Sequence, residues 1–257
     1  MLKTQCFYAI FAKTGTYQTM DFINYQDSFI PHLSLDCVIF GFHGQQLKVL
    51  LPKLKHVDLW TLPGGYVLKN EDIDQAAQRL LEDRTGLKNI YLEQFYTFGK
   101  ADRNTEQTIK TFLEANDMAI ESVSWLFDRF ISVGYYALVD FSKVSAKQGF
   151  WDDSCDWFDI KTLPNLAFDH AEIIQKALVT LRLNLDSKLV GFSLLPDTFT
   201  MKELQTLYET ILDKPLRRDN FQRKILGMEI LHRIDKKYTG AANKAPYLYR
   251  FIDDVVQ

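Results

Sequence analysis

Along this chain, apolar residues alternate with polar ones, then recur at helical spacing, then alternate again, and each change of period marks an element. Residues 33–42, LSLDCVIFGF, and 46–52, QLKVLLP, are β-branched, apolar runs separated by HGQ, which predicts a hairpin. DLWTLPGGYV (58–67) reads as a short strand leading into a Gly-Gly turn. From Asn70 or Glu71 to Thr85, the apolar residues Ile73, Ala76, Ala77, Leu80 and Leu81 recur at helical spacing, and Gly86 fits the left-handed position after a helix. IYLEQFYTFG (90–99) and ISVGYYALVDF (131–141) are two more strands. The segment between them (104–129) reads as partly helical and is long for a connection between strands. DHAEIIQKALVTLRLNL (169–185) is an amphipathic helix with Ile173, Ile174, Ala177, Leu178 and Leu181 on one face. A boundary is expected near LDSKLVGFSLLPD. The pattern therefore predicts an α+β body at 1–188, with 1–30 as an N-terminal extension, and a small separate module at 189–257.

The small module has its own signature. Thr200 precedes FTMKELQTLYETIL's helical run and Glu203 follows three residues later, a capping box, with Phe199 as a staple residue. After a turn at DKP, a second helix is predicted from Arg218 to Leu226, ended by Gly227. EILHRIDKKYTGAANKAPYLYRF then reads as strand, basic loop, strand. Helix, turn, helix and basic hairpin make a winged helix-turn-helix, whose second helix enters the major groove while the wing reaches backbone or minor groove.

Charge strengthens this reading. The chain's net charge is −3, yet Asp213–Arg250 holds ten Lys/Arg against four Asp/Glu, a net of +6, which leaves −9 on the remainder. Arg217, Arg218, Asn220, Gln222, Arg223 and Lys224 offer donors for base edges and phosphates, with Phe221, Ile225 and Leu226 expected to face inward. Lys236, Lys237 and Lys244 fall in the wing, where they need only find phosphate. Double-stranded DNA is favoured over RNA, because no aromatic stacking platform accompanies the basic residues. The alternative is a winged helix used for protein contacts.

Totals narrow the class further. The chain has 257 residues, 47% apolar and 25% charged, as in globular domains. Three widely spaced cysteines (Cys6, Cys37, Cys155) with no CxxC argue against a disulfide framework or zinc site and suit a reducing cytoplasm. The opening MLKTQCFYAIFAKTG has an apolar run broken by Lys13 and no small-residue cleavage site, and no apolar stretch is long enough for a bilayer. A cytoplasmic protein without a membrane partner is expected.

The stretch LPGGYVLKNEDIDQAAQRLLEDRTGL (Leu62–Leu87) resembles the Nudix box, which reads Gly, five residues, Glu, seven residues, Arg-Glu-aliphatic-any-Glu-Glu-any-Gly-aliphatic. Gly65, Glu71, Arg79, Gly86 and Leu87 fall in register. The resemblance implies a Nudix-type mixed sheet flanked by helices. In Nudix hydrolases the box glutamates hold Mg²⁺ or Mn²⁺ against a diphosphate, and hard cations want several carboxylates on one helix face. Here those positions are Leu80, Asp83 and Arg84. Glu82 is no substitute for the missing third carboxylate, because two residues along a helix is about 200° around it. Arg84 is expected to repel a metal and to pair with Asp83 or Glu71. No catalytic residues, no metal and no cofactor are therefore expected.

LEQFYTFGKADRN, ISVGYYALVDF, LPNLAFDHAEII and LLPDTFTMKELQTLYE…NFQRKIL extend the resemblance to the Nudix-related transcriptional regulators of bacteria. It covers the chain from about residue 30, although the 105–130 segment is longer than the resemblance implies. Such proteins join a Nudix domain without hydrolase activity to a winged helix-turn-helix and act as homodimers; some answer to ADP-ribose, others govern sugar use, L-arabinose included. A neutral sugar needs an aromatic wall and a few polar groups. Trp60, Gly65, Tyr66, Lys69, Phe98, Lys100 and Asp102, with Asn104 beside them, are the candidate effector residues. The expectation is an operator-binding repressor released by a small metabolite, L-arabinose first. ADP-ribose sensing and metal-dependent hydrolysis of nucleoside diphosphate derivatives are the alternatives.

Overall fold

A computed structural model of the chain describes residues 26–88, 90–101, 103, 106–185, 193–236 and 245–252. The body is built on a six-stranded sheet in the order β4-β5-β1-β2-β6, with β3 also pairing β1. Its strands are β1 (Phe29–His43), β2 (Gln46–Leu54), β3 (Gly64–Leu68), β4 (Tyr91–Phe98), β5 (Ile131–Val139) and β6 (Asp152–Asp159). The β1–β2 hairpin turns through Gly44 and Gln45, both at positive φ (57° and 64°), the geometry that matches the twist of paired strands. β1 pairs β5 in parallel from Leu33↔Ile131 to Gly41↔Val139, and every residue of β5 after Ile131 is buried. A strand covered on both faces reads as a continuous apolar run, as ISVGYYALV does.

The pleat sorts these side chains between two layers. Val38 and Phe40 of β1 join Tyr136 and Leu138 of β5 on one face, under helix α3 (His170–Asn184) with its Ile173, Ile174, Ala177, Leu178 and Leu181. Leu35, Cys37 and Ile39, with Val133, Tyr135 and Ala137, form the other face, under helix α1 (Ile73–Thr85) and its Ala76, Ala77, Leu80 and Leu81. The segment before β5 folds as α2 (Glu106–Ala115) and a 3-10 stretch at Ile120–Phe127 broken by a non-helical Val123.

Two readings of the sequence need correcting. The Gly-Gly pair is no turn: it opens β3, with Gly64 opposite Asp36 and Gly65 opposite Leu35. Close approach explains both glycines, since a Cβ on Gly64 would lie 2.6 Å from the Leu35 carbonyl oxygen and one on Gly65 2.7 Å from Leu80 Cδ2. The helix after them starts at Ile73, not at Asn70 or Glu71, because the Asp72 amide donates to Gln75 Oε1 (2.9 Å) and caps it. The far end matches expectation, with Gly86 at φ 72° and its amide on the Glu82 carbonyl (2.8 Å). Strand β6 is an element that the sequence pattern leaves unmarked. Its sequence DDSCDWFD carries too many polar residues to look like a strand, but it borders only β2 and leaves one edge to solvent.

The C-terminal module contains α4 (Met201–Leu212), α5 (Arg218–Gly227) and a three-stranded sheet of β7 (Phe199–Thr200), β9 (Tyr247–Phe251) and β8 (Leu231–Lys236) in that order. The capping box is in place: the Thr200 amide donates to Glu203 Oε2 (2.6 Å) and the Glu203 amide to Thr200 Oγ1 (3.2 Å). Leu226 departs from expectation. It is 42% exposed, because it lies about 100° around the helix from Ile225, which is buried with Phe221.

The boundary expected at 188/189 lies outside the described residues, as does most of the 1–30 extension. The flanking residues do not behave as a loose tether. Leu185, Leu194, Leu195, Phe199, Leu204, Leu207, Tyr208 and Ile211 share one hydrophobic core with Leu47, Ile160, Leu178 and Leu181 of the body.

Candidate functional site

The box residues form a closed set of contacts. Glu71 Oε1 accepts from the Leu68 amide (2.8 Å), and both its oxygens accept from Arg79, at 2.6 and 3.0 Å. Arg79 also donates to the Tyr66 carbonyl (3.0 Å), so this pair fixes the loop between β3 and α1. Leu80 is 8% exposed and lies against Gly65, leaving a carboxylate at that position no water to face. Contrary to the expectation from the sequence, Arg84 forms its ion pair with neither Asp83 nor Glu71. It bonds Asp152, whose other contact is the Gly149 amide (2.6 Å), and its guanidinium lies where a Cβ on Gly149 would fall. The reason is direction: Arg84 sits in the last turn of α1, over the segment entering β6. The Lys147 amide reaches back to the Arg84 carbonyl (2.9 Å) and the Ser145 amide to that of Thr85 (3.1 Å). The helix face that would carry three carboxylates is thus one buried apolar side chain, one exposed Asp83 and one neutralised cation.

A polar network that sequence reasoning missed sits beside the glycine pair. Asp36 is 7% exposed in β1 and accepts from Ser132 Oγ of β5 (2.5 Å). Its other oxygen lies 3.4 Å from His170 Nε2, at the first residue of α3. His170 Nδ1 accepts from the Leu62 amide (2.8 Å), so the ring hydrogen is on the nitrogen facing Asp36. Arg103 completes the group, 3.4 Å from Asp36 and bidentate to Asp169 at 2.7 Å through both bonds. Burial alone would raise the Asp36 carboxyl, but His170, Ser132 and Arg103 outweigh it and hold its pKa at about 2. The signal for Asp36 was present in LSLDCVIFGF: a lone carboxylate in a largely apolar run.

The expected effector residues do not assemble as one wall. Phe98 is 5% exposed and packed with Phe95 and Tyr136 in the core, so it offers no face to a ligand. It ends β4 pointing at Gly134, where β5 leaves room for its ring. Gly65 faces Leu80 and α1. Trp60 stands edge-on to Phe158 (4.5 Å), while Tyr66 belongs to a separate aromatic group, stacked on Phe29 (4.4 Å) and met by Trp125 (5.2 Å) and Phe130 (5.6 Å) from the long segment before β5. Lys69 is exposed, Lys100 is held by Glu172 (2.8 and 2.9 Å), and Asp102 and Asn104 lie outside the described residues. Polar groups do gather beside Gly64, but they are Asp36 and, through it, Arg103, Ser132 and His170.

In the C-terminal module, Phe221 and Ile225 pin α5 to α4, with Phe221 at 5.1 Å from Tyr208. Arg217, Arg218, Asn220, Arg223 and Lys224 are exposed to solvent, with Gln222 half-buried beside them. Arg223 bonds Asn220 Oδ1 (3.0 Å), which spaces the two as a unit. Lys236 is half-buried near the Tyr247 ring (5.8 Å), and Arg233 lies over that ring at 4.5 Å. Lys237 and Lys244 fall outside the described residues.

Residues 30–177, more than half of the chain, match the model of the NUDIX domain. The chain belongs to the Nudix family. Residues 191–251 match the NrtR DNA-binding winged helix domain, so this Nudix protein carries an NrtR-type module behind its body. The ADPR responsive transcriptional repressor NtrR of Acinetobacter baylyi is 29% identical over 228 residues, 86% of this chain and 82% of that protein. A crystal structure of Shewanella oneidensis NrtR aligns with TM-score 0.68 and 28% identity over 87% of this chain and 95% of its own. The structure of that protein complexed with a 27mer DNA aligns with TM-score 0.67 and 26% identity, covering 87% and 94%. Among the described residues, no helix of this Nudix protein is long and apolar enough to cross a membrane.

Proposed function

We propose that this Nudix protein is a cytoplasmic transcriptional repressor that binds operator DNA through α5 and the wing and leaves it when ADP-ribose occupies the Nudix module. The observation that carries this reading is the likeness over 86% of the chain to a repressor named as ADPR responsive. The exposed Arg217, Arg218, Arg223 and Lys224 supply the cationic face such binding requires. L-arabinose, expected first from the sequence, finds no support in the relatives. The aromatic wall proposed for it also loses Phe98 to the core. ADP-ribose replaces it as the effector. A diphosphate requires a cation, and Arg103 lies beside the glycine pair through its contact with Asp36.

The chain is proposed to sense and not to hydrolyse. The metal face of its box helix holds Leu80 against Gly65 and Arg84 against Asp152, which leaves no cluster of carboxylates to grip Mg²⁺. A homodimer reading two half-sites about one helical turn apart, or a multiple of it, is the arrangement a winged helix of this kind would use.

Retardation of the DNA upstream of its own gene tests the proposal, with ADP-ribose, L-arabinose or no addition. Binding that weakens with ADP-ribose alone is expected. Binding indifferent to ADP-ribose sinks the regulatory reading, and weakening by L-arabinose alone returns the sugar. AMP released from ADP-ribose with Mg²⁺ would show an enzyme instead.

A further inference from the structure

We infer that helix α3 carries effector occupancy from the Nudix module to the winged helix, an inference that rests on the repressor reading above. The two ends of α3 keep different company. At its N-terminal end Asp169 holds Arg103, His170 faces Asp36 and takes the Leu62 amide, and Glu172 holds Lys100. Asp36 brings this group to Gly64, where an added Cβ would lie 3.1 Å from Asp36 Oδ1. At its C-terminal end, Arg182 Nε donates to the Ile211 carbonyl in the last turn of α4 (2.7 Å), and the Leu185 carbonyl just past the helix accepts from Tyr208 Oη (3.4 Å). Ile211 O is one of the helix-end carbonyls that lack a partner within their own helix, so Arg182 serves as the C-terminal cap of α4. Leu181 and Leu185 are fully buried in the same core as Leu207, Tyr208 and Ile211.

A 15-residue helix is roughly 22 Å of stiff rod, so a shift imposed at one end arrives at the other. An arriving diphosphate competes with Asp36 and Asp169 for Arg103 and so loosens the first turn of α3. Other described polar contacts between body and module are Thr210 Oγ1 to the Gln45 carbonyl (3.3 Å) and the exposed pairs Lys161–Asp213 and Lys143–Asp197. The Thr210–Gln45 bond and the Lys161–Asp213 pair flank an open cleft of about 550 Å³, lined by Gln46, Asp159, Lys161, Thr206, Glu209 and Asp213 among others. That space lets α4 move against the β1–β2 turn, and an exposed ion pair is too weak to resist it. Arg182 is therefore the positioning residue that ties the DNA-reading module to the effector's end of the body.

The test compares wild type, Arg182→Ala, Arg182→Lys and Lys161→Ala. Affinity for the protein's own upstream DNA is measured with and without ADP-ribose, and ADP-ribose binding to DNA-free protein by calorimetry. Wild type is expected to lose affinity for DNA by about tenfold or more with ADP-ribose. Arg182→Ala should bind DNA and ADP-ribose separately within about twofold of wild type, yet show less than a third of the wild-type response. Lys161→Ala should respond fully, and Arg182→Lys, which keeps a donor, should recover part of the response. A fully responsive Arg182→Ala overturns the α3 route alone. An unresponsive wild type overturns the repressor reading, and the route with it. Hydrogen exchange on wild type needs no variant to fold: ADP-ribose should change protection in the last turn of α3 and in α4. Changes confined to residues around Gly64 and Asp36 would also overturn the route.

Discussion

Helices α1 and α5 both carry two arginines on an amphipathic frame, and they use them in opposite ways. On α1, Arg79 is bound by Glu71 and Arg84 by Asp152, so each cation is neutralised within the body. On α5, Arg218 and Arg223 are exposed, and Arg223 donates to the neutral Asn220. One helix consumes its charge in holding a loop and a strand in place, and the other presents its charge to solvent. A cationic helix thus signals an anionic partner only when the fold leaves the charge unspent, and that depends on residues far away in sequence.

Arg84→Ala should break this contrast most sharply. Removing the cation strands the Asp152 carboxylate, and breaking a buried pair costs roughly 3–5 kcal/mol, to be read by urea unfolding, while affinity for DNA stays at wild type. Unchanged stability would mean that Arg84 is as free as the arginines of α5. Next comes Arg218→Ala/Arg223→Ala, expected to weaken DNA binding by about 100-fold and to lower the salt slope by about 2, with stability changed by under about 0.5 kcal/mol. If that double variant unfolded readily instead, α5 would be spending its charge on the fold after all.

Asp36 extends the comparison to pH. Its folded pKa, about 2 against an ordinary 3.8, lies below the unfolded value, so its contribution is fully present above about pH 4 and is lost as pH falls through 2. Unfolding free energy of wild type should fall by roughly 2 kcal/mol more than that of Asp36→Asn between pH 5 and pH 2. Parallel acid curves would remove the network's claim to be charged. The smallest effect is expected at Lys143, whose pairing with Asp197 is exposed on both sides; Lys143→Ala should shift stability by under about 0.5 kcal/mol in thermal melts.

The parts of this molecule that were legible in its sequence are those governed by near neighbours. The continuous apolar runs LSLDCVIFGF and ISVGYYALVDF marked strands, the 3.6-residue period marked α1, α3 and α4, and Thr200 with Glu203 marked a helix start to the residue. Strand β6 escaped because an edge strand need not be apolar throughout, and the glycine pair was misread because close approach and a tight turn ask for the same residue. The candidate site was far less legible. Asp36 meets Arg103, Ser132 and His170 from 67 or more residues away, and Arg84 reaches Asp152 across 68. Phe98 offered an aromatic ring in a promising place, but only Gly134, across the sheet, decides that the ring points inward.

The parallel pairing of β1 with β5 has a consequence for how the chain is made. From Leu33 to Gly41, each residue of β1 meets its β5 partner 98 positions later, as in Leu33↔Ile131. At ribosomal speeds of about 5–20 residues per second, the β1–β2 hairpin emerges with one flank of the central strand uncovered for roughly 5–20 s. During that interval the apolar run LSLDCVIFGF is an open template for another nascent copy, and an upstream neighbour on the same message is the nearest one.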